Sequence, residues 1–166
     1  MHCPACKNKL TIFIIANLKI LACENGCGGL WFSRDQLKVI GSLNPGLGLP
    51  LLKIKHADGI KTYRRVEHIC PYCKTTLLFR HFFSKKFDTE INQCAKCGGL
   101  WFDVAGLSNI QSMTGQQKQI SLNKYFSTIL YKNIKNIPII NEDVDKVVQS
   151  IVHVFKFLCP KEDFPE

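Results

Sequence analysis

Apolar and polar positions change their period along this chain, and each period predicts an element. In the second half Phe87, Thr89 and Ile91 alternate with Asp88, Glu90 and Asn92, the pattern of a half-buried strand. Residues 75–83 precede it as a second strand, with Ser84, Lys85 and Lys86 at the bend. Near the start, residues 10–15 and 18–22 read as two strands joined at Ala16 and Asn17. The tail has a helical period instead. Leu122, Tyr125, Phe126, Ile129 and Leu130 form one stripe; Val144, Val147, Val148, Ile151, Val152, Phe155 and Leu158 form another. Asn141, followed by Glu142 and Asp143, is a good helix start; Pro138 separates the two helices and Pro160 ends the second. Residues 113–159 therefore predict a helical hairpin.

The chain also repeats itself. Cys27-Gly28-Gly29-Leu30-Trp31-Phe32 recurs as Cys97-Gly98-Gly99-Leu100-Trp101-Phe102. Both copies follow a β-rich stretch, and each stretch follows a Cys-Pro-x-Cys turn, at Cys3 and at Cys70. A short helix should follow each aromatic pair. Ser33 and Gln36 fit a capping box, and Asp103 can cap the second helix despite Gly106. Leu37 and Leu107 occupy matching places beneath the ribbons.

Four regions result. Residues 1–40 form a first ribbon and residues 68–112 a second. Residues 41–67 link them, with 51–55 and 60–66 as candidate strands of an extra hairpin about Ala57, Asp58 and Gly59. Residues 113–166 form a C-terminal helical region. The expected fold class is a small metal-stabilised α+β protein: two tandem zinc ribbons, each a β-hairpin plus a short helix, followed by a helical hairpin.

The cysteines carry the chemistry. Eight of nine fall into close pairs: Cys3 and Cys6, Cys23 and Cys27, Cys70 and Cys73, Cys94 and Cys97. Short paired spacings read as metal clips, whereas a disulfide framework spreads its cysteines. Zinc takes four tetrahedral ligands, and thiolates suit it. Each hairpin is long enough to return a second pair to the first, and Gly98-Gly99 lets the backbone turn tightly beside sulfur. The pair Cys23 and Cys27 has one extra residue between its members, which Asn25-Gly26 can absorb in a turn. His2 is set aside as a ligand because it adjoins Cys3. Two structural Zn²⁺ are expected, held by four thiolates each with no open coordination position for substrate. Each ribbon is too small to build an adequate core, so metal binding should supply much of its folding free energy.

Charge changes this picture little. The formal net charge is +9. A Zn²⁺ bound by four thiolates is a dianionic centre, so two of them bring the metallated chain to about +5. No apolar run reaches the length of a membrane span. The first cysteine pair starts at residue 3, which leaves no room for a removable signal peptide and points to a reducing, cytoplasmic compartment.

Cys-Pro-x-Cys, a hairpin, then Cys-x-x-Cys-Gly-Gly-Leu-Trp-Phe-Asp resembles the bacterial TFIIB-type zinc-finger family. The resemblance covers residues 3–37 and 70–107. Cys70, Cys73, Cys94 and Cys97 match the family's ligand positions, as do Cys3, Cys6, Cys23 and Cys27 apart from the extra residue. Asp103 matches its acidic helix start and Ser33 departs from it. Gln36-Leu37 and Gly106-Leu107 stand where the family often has an acidic residue and Leu. The resemblance implies a zinc-holding binding module without an assigned reaction.

Three uses of such a module compete. A protein partner is favoured, because the tail has its own apolar face and the corrected charge is small. Nucleic acid is the alternative: Lys53, Lys55, Lys61, Arg64, Arg65, Arg80, Lys85 and Lys86 cluster near Phe79, Phe82 and Phe83, and aromatics can stack on bases. Thiol redox chemistry through Cys70-Pro71-Tyr72-Cys73 is remote, since such a dithiol needs a helix N-terminus and here a β-rich stretch follows. Trp31 and Trp101 are expected to pack against the knuckles. His56, His68, His81 and His153 form no spaced pair with another ligand and read as surface or packing residues; Cys159 reads as a free thiol. No Ser/His/Asp set, phosphate-binding Gly loop or paired acidic cluster is present.

Overall fold

The computed structural model describes residues 1–57, 60, 67–84, 89–103 and 144–159. Strands β1 (Thr11–Ile15) and β2 (Leu18–Ala22) form a hairpin, closed by Ala16 and Asn17, both at positive φ (49° and 65°). That pair of left-handed residues is a type I′ turn, whose twist matches the strands it joins. Strand β3 (Leu30–Phe32) and helix α1 (Arg34–Ile40) follow. The capping box at α1 is complete: Gln36 N–H donates to Ser33 Oγ at 3.4 Å, and Ser33 N–H donates to Gln36 Oε1 at 2.8 Å. The second unit supplies β4 (Leu78–Ser84), β5 (Thr89–Cys94) and β6 (Leu100–Asp103), and α2 (Val144–Leu158) lies near the C-terminus.

The six strands among the described residues make one antiparallel sheet in the order β1-β2-β3-β6-β5-β4. The two ribbons meet at its centre. There Leu30 faces Phe102, Trp31 faces Trp101 and Phe32 faces Leu100. The two copies of the run thus pair antiparallel about Trp31 and Trp101, the leucine of each facing the phenylalanine of the other, so a pseudo-two-fold axis runs between the tryptophans, as in an isologous dimer interface.

Strand alternation divides the central residues between two faces. Leu30, Phe32, Leu100 and Phe102 join one apolar core with α1, α2 and the 41–54 segment. Trp31 and Trp101 point to the other face, among the eight paired cysteines. Helix α2 closes the first face across the seam. Its Phe155 meets Phe102 edge-on at 5.7 Å, and Phe157 meets Phe32 edge-on at 6.4 Å. Val147, Ile151, Val154 and Leu158 are buried beside them. Val147, Ile151, Phe155 and Leu158 of the apolar stripe, read from sequence as a surface for a partner, are therefore committed to this chain's own core.

The candidate strand at residues 51–55 is another expectation the structure corrects: residues 49–53 take its place. They form a 3₁₀ turn (Leu49–Lys53), not a strand, with Pro50 at its start and Leu51 and Leu52 buried. Proline pre-sets the helical φ of a first turn and cannot donate to a sheet ladder. The preceding loop is anchored on α2. Gly46 N–H donates to Lys156 O at 2.9 Å and Gly48 N–H to Phe157 O at 2.8 Å, satisfying carbonyls that a helix end leaves unpaired. A Cβ on Gly48 would collide with the Phe157 ring. Residues 61–66, the helix expected after Asp103, and the first helix of the tail hairpin lie outside the described residues.

Candidate metal centres

Each Cys-Pro-x-Cys knuckle is a tight turn. Lys7 N–H donates to Cys3 O at 3.0 Å and Lys74 N–H to Cys70 O at 2.9 Å, and both lysines take positive φ (67° and 64°). The second cysteine of each turn aims its amide at the first: Cys6 N–H to Cys3 Sγ is 3.4 Å and Cys73 N–H to Cys70 Sγ is 3.2 Å. Such bonds favour thiolate over thiol.

The hairpins then return the second pairs. Cys3 Sγ lies 3.5 Å from Cys27 Sγ, and Cys6 Sγ 3.4 Å from Cys23 Sγ. In the second unit Cys70 to Cys97 and Cys73 to Cys94 are both 3.8 Å. Within each set of four the sulfurs all lie within 4.8 Å of one another. Disulfide sulfurs sit about 2.05 Å apart, so these are free thiols. A tetrahedron with metal–sulfur bonds of about 2.3 Å has edges of about 3.8 Å, the spacing of these pairs in the second set, and the first set is a few tenths of an ångström tighter. The two Cys₄ groups suit two structural zinc ions.

The titration pattern agrees with that chemistry. Thiols crowded this closely do not ionise together. Cys3 and Cys27 are pushed up, first by their hydrogen bonding to Cys23 and also by burial. Cys23 is pulled down to about 2, chiefly by hydrogen bonds from Cys27 and Cys3. In the second set burial raises Cys70, and raises Cys97 to about 11. Burial also opposes ionisation of Cys94, but backbone donors from Cys97 and Lys96 outweigh it and lower its pKa. A divalent cation is the partner that lets all four ionise.

The extra residue between Cys23 and Cys27 is absorbed where the sequence placed it. Asn25 adopts φ 57°, and Gly28 N–H reaches Cys23 O at 3.1 Å. The equivalent bond in the second unit, Gly98 N–H to Cys94 O, closes at 2.8 Å over one residue fewer. A Cβ on Gly26 would strike Cys23 Sγ, so a side chain there would crowd the ligand.

The tryptophans pack across the seam. The Trp101 ring fills the space that a Cβ on Gly29 would need, and Trp31 does the same at Gly99. Each indole therefore covers the other ribbon's knuckle. This gives the second glycine of each Cys-Gly-Gly run a reason beyond metal geometry, which spacing within one unit does not reveal.

A buried polar cluster beside the second site was not foreseen. Glu90 and Asn92 are each 2% exposed and His68 is 6% exposed. Glu90 Oε1 accepts from Asn92 Nδ2 at 2.8 Å, lies 3.2 Å from Arg80 Nε and lies 3.7 Å from His68 Nε2. Burial lowers the His68 pKa against the pull of Glu90. Polar alternation in residues 88–92 suggested a solvated face; β5 is instead an inner strand. The signal available was the carboxylate at position 90 where the first repeat has Lys19.

Of the basic residues proposed for nucleic acid, only Lys53, Lys55 and Arg80 fall among the described residues. Lys53 and Lys55 are exposed, Arg80 is held by Glu90, and Arg64, Arg65, Lys85 and Lys86 lie outside the described residues. Cys159 is buried at the end of α2. Among the described residues no helix is long and apolar enough to cross a membrane.

A transcription-factor zinc-finger family model, of the TFIIB-type zinc ribbon, matches residues 2–42 and again residues 69–112. Together these spans cover just over half of the chain. The chain belongs to this zinc-ribbon family. No curated protein and no solved structure matches it.

Proposed function

We propose that this is a non-catalytic, zinc-dependent binding protein of the cytoplasm whose partner is another protein. Cys3, Cys6, Cys23 and Cys27 hold one zinc; Cys70, Cys73, Cys94 and Cys97 hold the other. Four protein thiolates fill a tetrahedral shell and leave no position for water or substrate, which supports a structural role. Redox chemistry at Cys70-Pro71-Tyr72-Cys73 finds no support: the turn leads into β4 rather than a helix, and Cys70 is buried among three other sulfurs.

The observation that carries the choice of partner is the set of large apolar side chains left exposed. Ile12, Ile14, Ile69, Tyr72, Leu77 and Phe79 are among them. Nucleic acid remains the second reading because Lys53, Lys55 and Phe79 are exposed. The tagged protein, recovered from a lysate of its own host with and without nuclease, tests the two. Protein partners that persist through nuclease and high salt are expected. Partners lost with nuclease, with RNA or DNA in the untreated sample, would replace this reading with the second.

A further inference from the structure

We infer that the outer edge of β1 is a docking strand for an extended peptide segment of a partner protein, apolar at alternate positions and flanked by acidic residues. This rests on the protein-binding reading above and names the surface it uses.

Among the described residues, strand β1 ends the sheet on one side and β4 on the other. The two-residue turn at Ala16 and Asn17 makes Ile15 and Leu18 the closing hydrogen-bonded pair. Bonded and non-bonded pairs alternate along an antiparallel ladder, so Phe13 with Ile20 and Thr11 with Ala22 are the next bonded pairs. Ile12 and Ile14 then direct their N–H and C=O groups outward. Among the described residues, none hydrogen-bonds to them.

The same two residues expose their side chains, at 58% for Ile12 and 68% for Ile14. They share the metal-side face with Leu21 and Lys19, their cross-strand partners. Phe13 and Ile15 pack partly against the helix-side core, which holds the strand in place. One register therefore offers both backbone groups and an apolar shelf.

Sheet edges are normally blunted by charges, proline or a bulge. At β4 the register breaks between Arg80 and Phe82, and Arg80 lies along that strand. Thr11–Ile15 has none of these devices. An unblunted edge invites aggregation, so its retention favours a use for it.

Area and charge select the occupant. Two rigid copies meeting through five-residue strands with two exposed isoleucines each would bury well under the roughly 1,000 Å² that a stable interface needs. A peptide can instead wrap from the backbone edge over the Ile12 and Ile14 shelf. Strand addition of this kind takes affinity from main-chain bonds and specificity from alternate side chains. Exposed Lys19, the cross-strand partner of Ile14, adjoins the shelf and favours acidic residues beside the apolar ones.

The test uses the zinc-loaded full chain and a random-peptide display library. Selected peptides are made synthetically, and amide hydrogen exchange is followed by NMR. The expected result is acidic peptides with alternating apolar residues. They should slow exchange at the Ile12 and Ile14 amides by roughly tenfold or more. The double variant Ile12→Lys, Ile14→Lys should keep its zinc and fold while losing affinity by about tenfold or more. Any of three exchange results would overturn the inference: protection of both amides in the free monomer, which would give the edge to this chain's own residues; protection that appears only with dimerisation; or peptides that leave both amides unprotected. The last would leave a protein-binding role intact at another surface. Absence of any selected peptide, with nucleic acid bound instead, would overturn this inference and the protein-binding reading together.

Discussion

The two ribbons share their knuckles and their Cys-Gly-Gly-Leu-Trp-Phe run, yet they line the metal side of the sheet differently. On β2 the first ribbon places Lys19 at the surface and Leu21 against the Trp31 cluster. On β5 the second ribbon places Glu90 and Asn92 in the corresponding positions, both buried, with Arg80 and His68 around the carboxylate. The metal motif and the seam thus set the architecture, while the residues between them diverge. Burying a carboxylate is unfavourable unless it is paired. The second ribbon therefore has less apolar support near its metal and relies more on its polar partners and on zinc.

Loss of a ligand should break the comparison most severely. Cys73→Ser is expected to remove one zinc, and structural zinc is worth about 10–16 kcal/mol in small metal domains. Because β3 pairs with β6, damage in the second ribbon should reach the first. Circular dichroism and zinc counting should show partial or complete loss of both ribbons, not one ribbon left intact. Next come Gly29→Ala and Gly99→Ala, each driving a Cβ into the opposite tryptophan. Each should cost about 1–3 kcal/mol in denaturant unfolding, and the pseudo-two-fold axis predicts similar values for the pair.

The polar contrast is smaller. Glu90→Ala removes an acceptor from Asn92 and a partner from Arg80, for about 1–2 kcal/mol. Lys19→Ala, at the equivalent exposed position, should stay within about 0.5 kcal/mol. Equal effects would show that the buried cluster contributes nothing distinctive. The smallest separation is expected on acidification. Cys3 and Cys27 in the first set and Cys70 and Cys97 in the second all have raised pKa values, so protons compete with metal at both sites and zinc affinity falls as pH falls. Three of the four sulfur-bearing residues are buried in the first set and two in the second. The second site should release zinc first, by less than about one pH unit, in a chromogenic-chelator titration.

Local chemistry made much of this legible from sequence. The Ser33–Gln36 capping box, the Ala16–Asn17 turn, the cysteine groups and the absorption of an extra residue at Asn25-Gly26 each depend on neighbours a few positions away. The seam was not legible, because β3 and β6 are three and four residues long and pair across about 70 positions. Residues 51–55 read as a candidate strand, although Pro50 just before them fits a helical first turn. The period of α2 was clear, but not that Phe155 and Phe157 would each dock on one repeat of the same phenylalanine. Glu90 looked solvated because alternation identifies a face without saying what covers it.

The most direct test counts zinc in the purified chain and then follows unfolding as a strong chelator withdraws it. The account predicts two zinc ions per chain and one shared loss of structure in both ribbons. Fewer than two ions, or a chain whose sheet and Trp31–Trp101 packing survive full zinc removal, would contradict it.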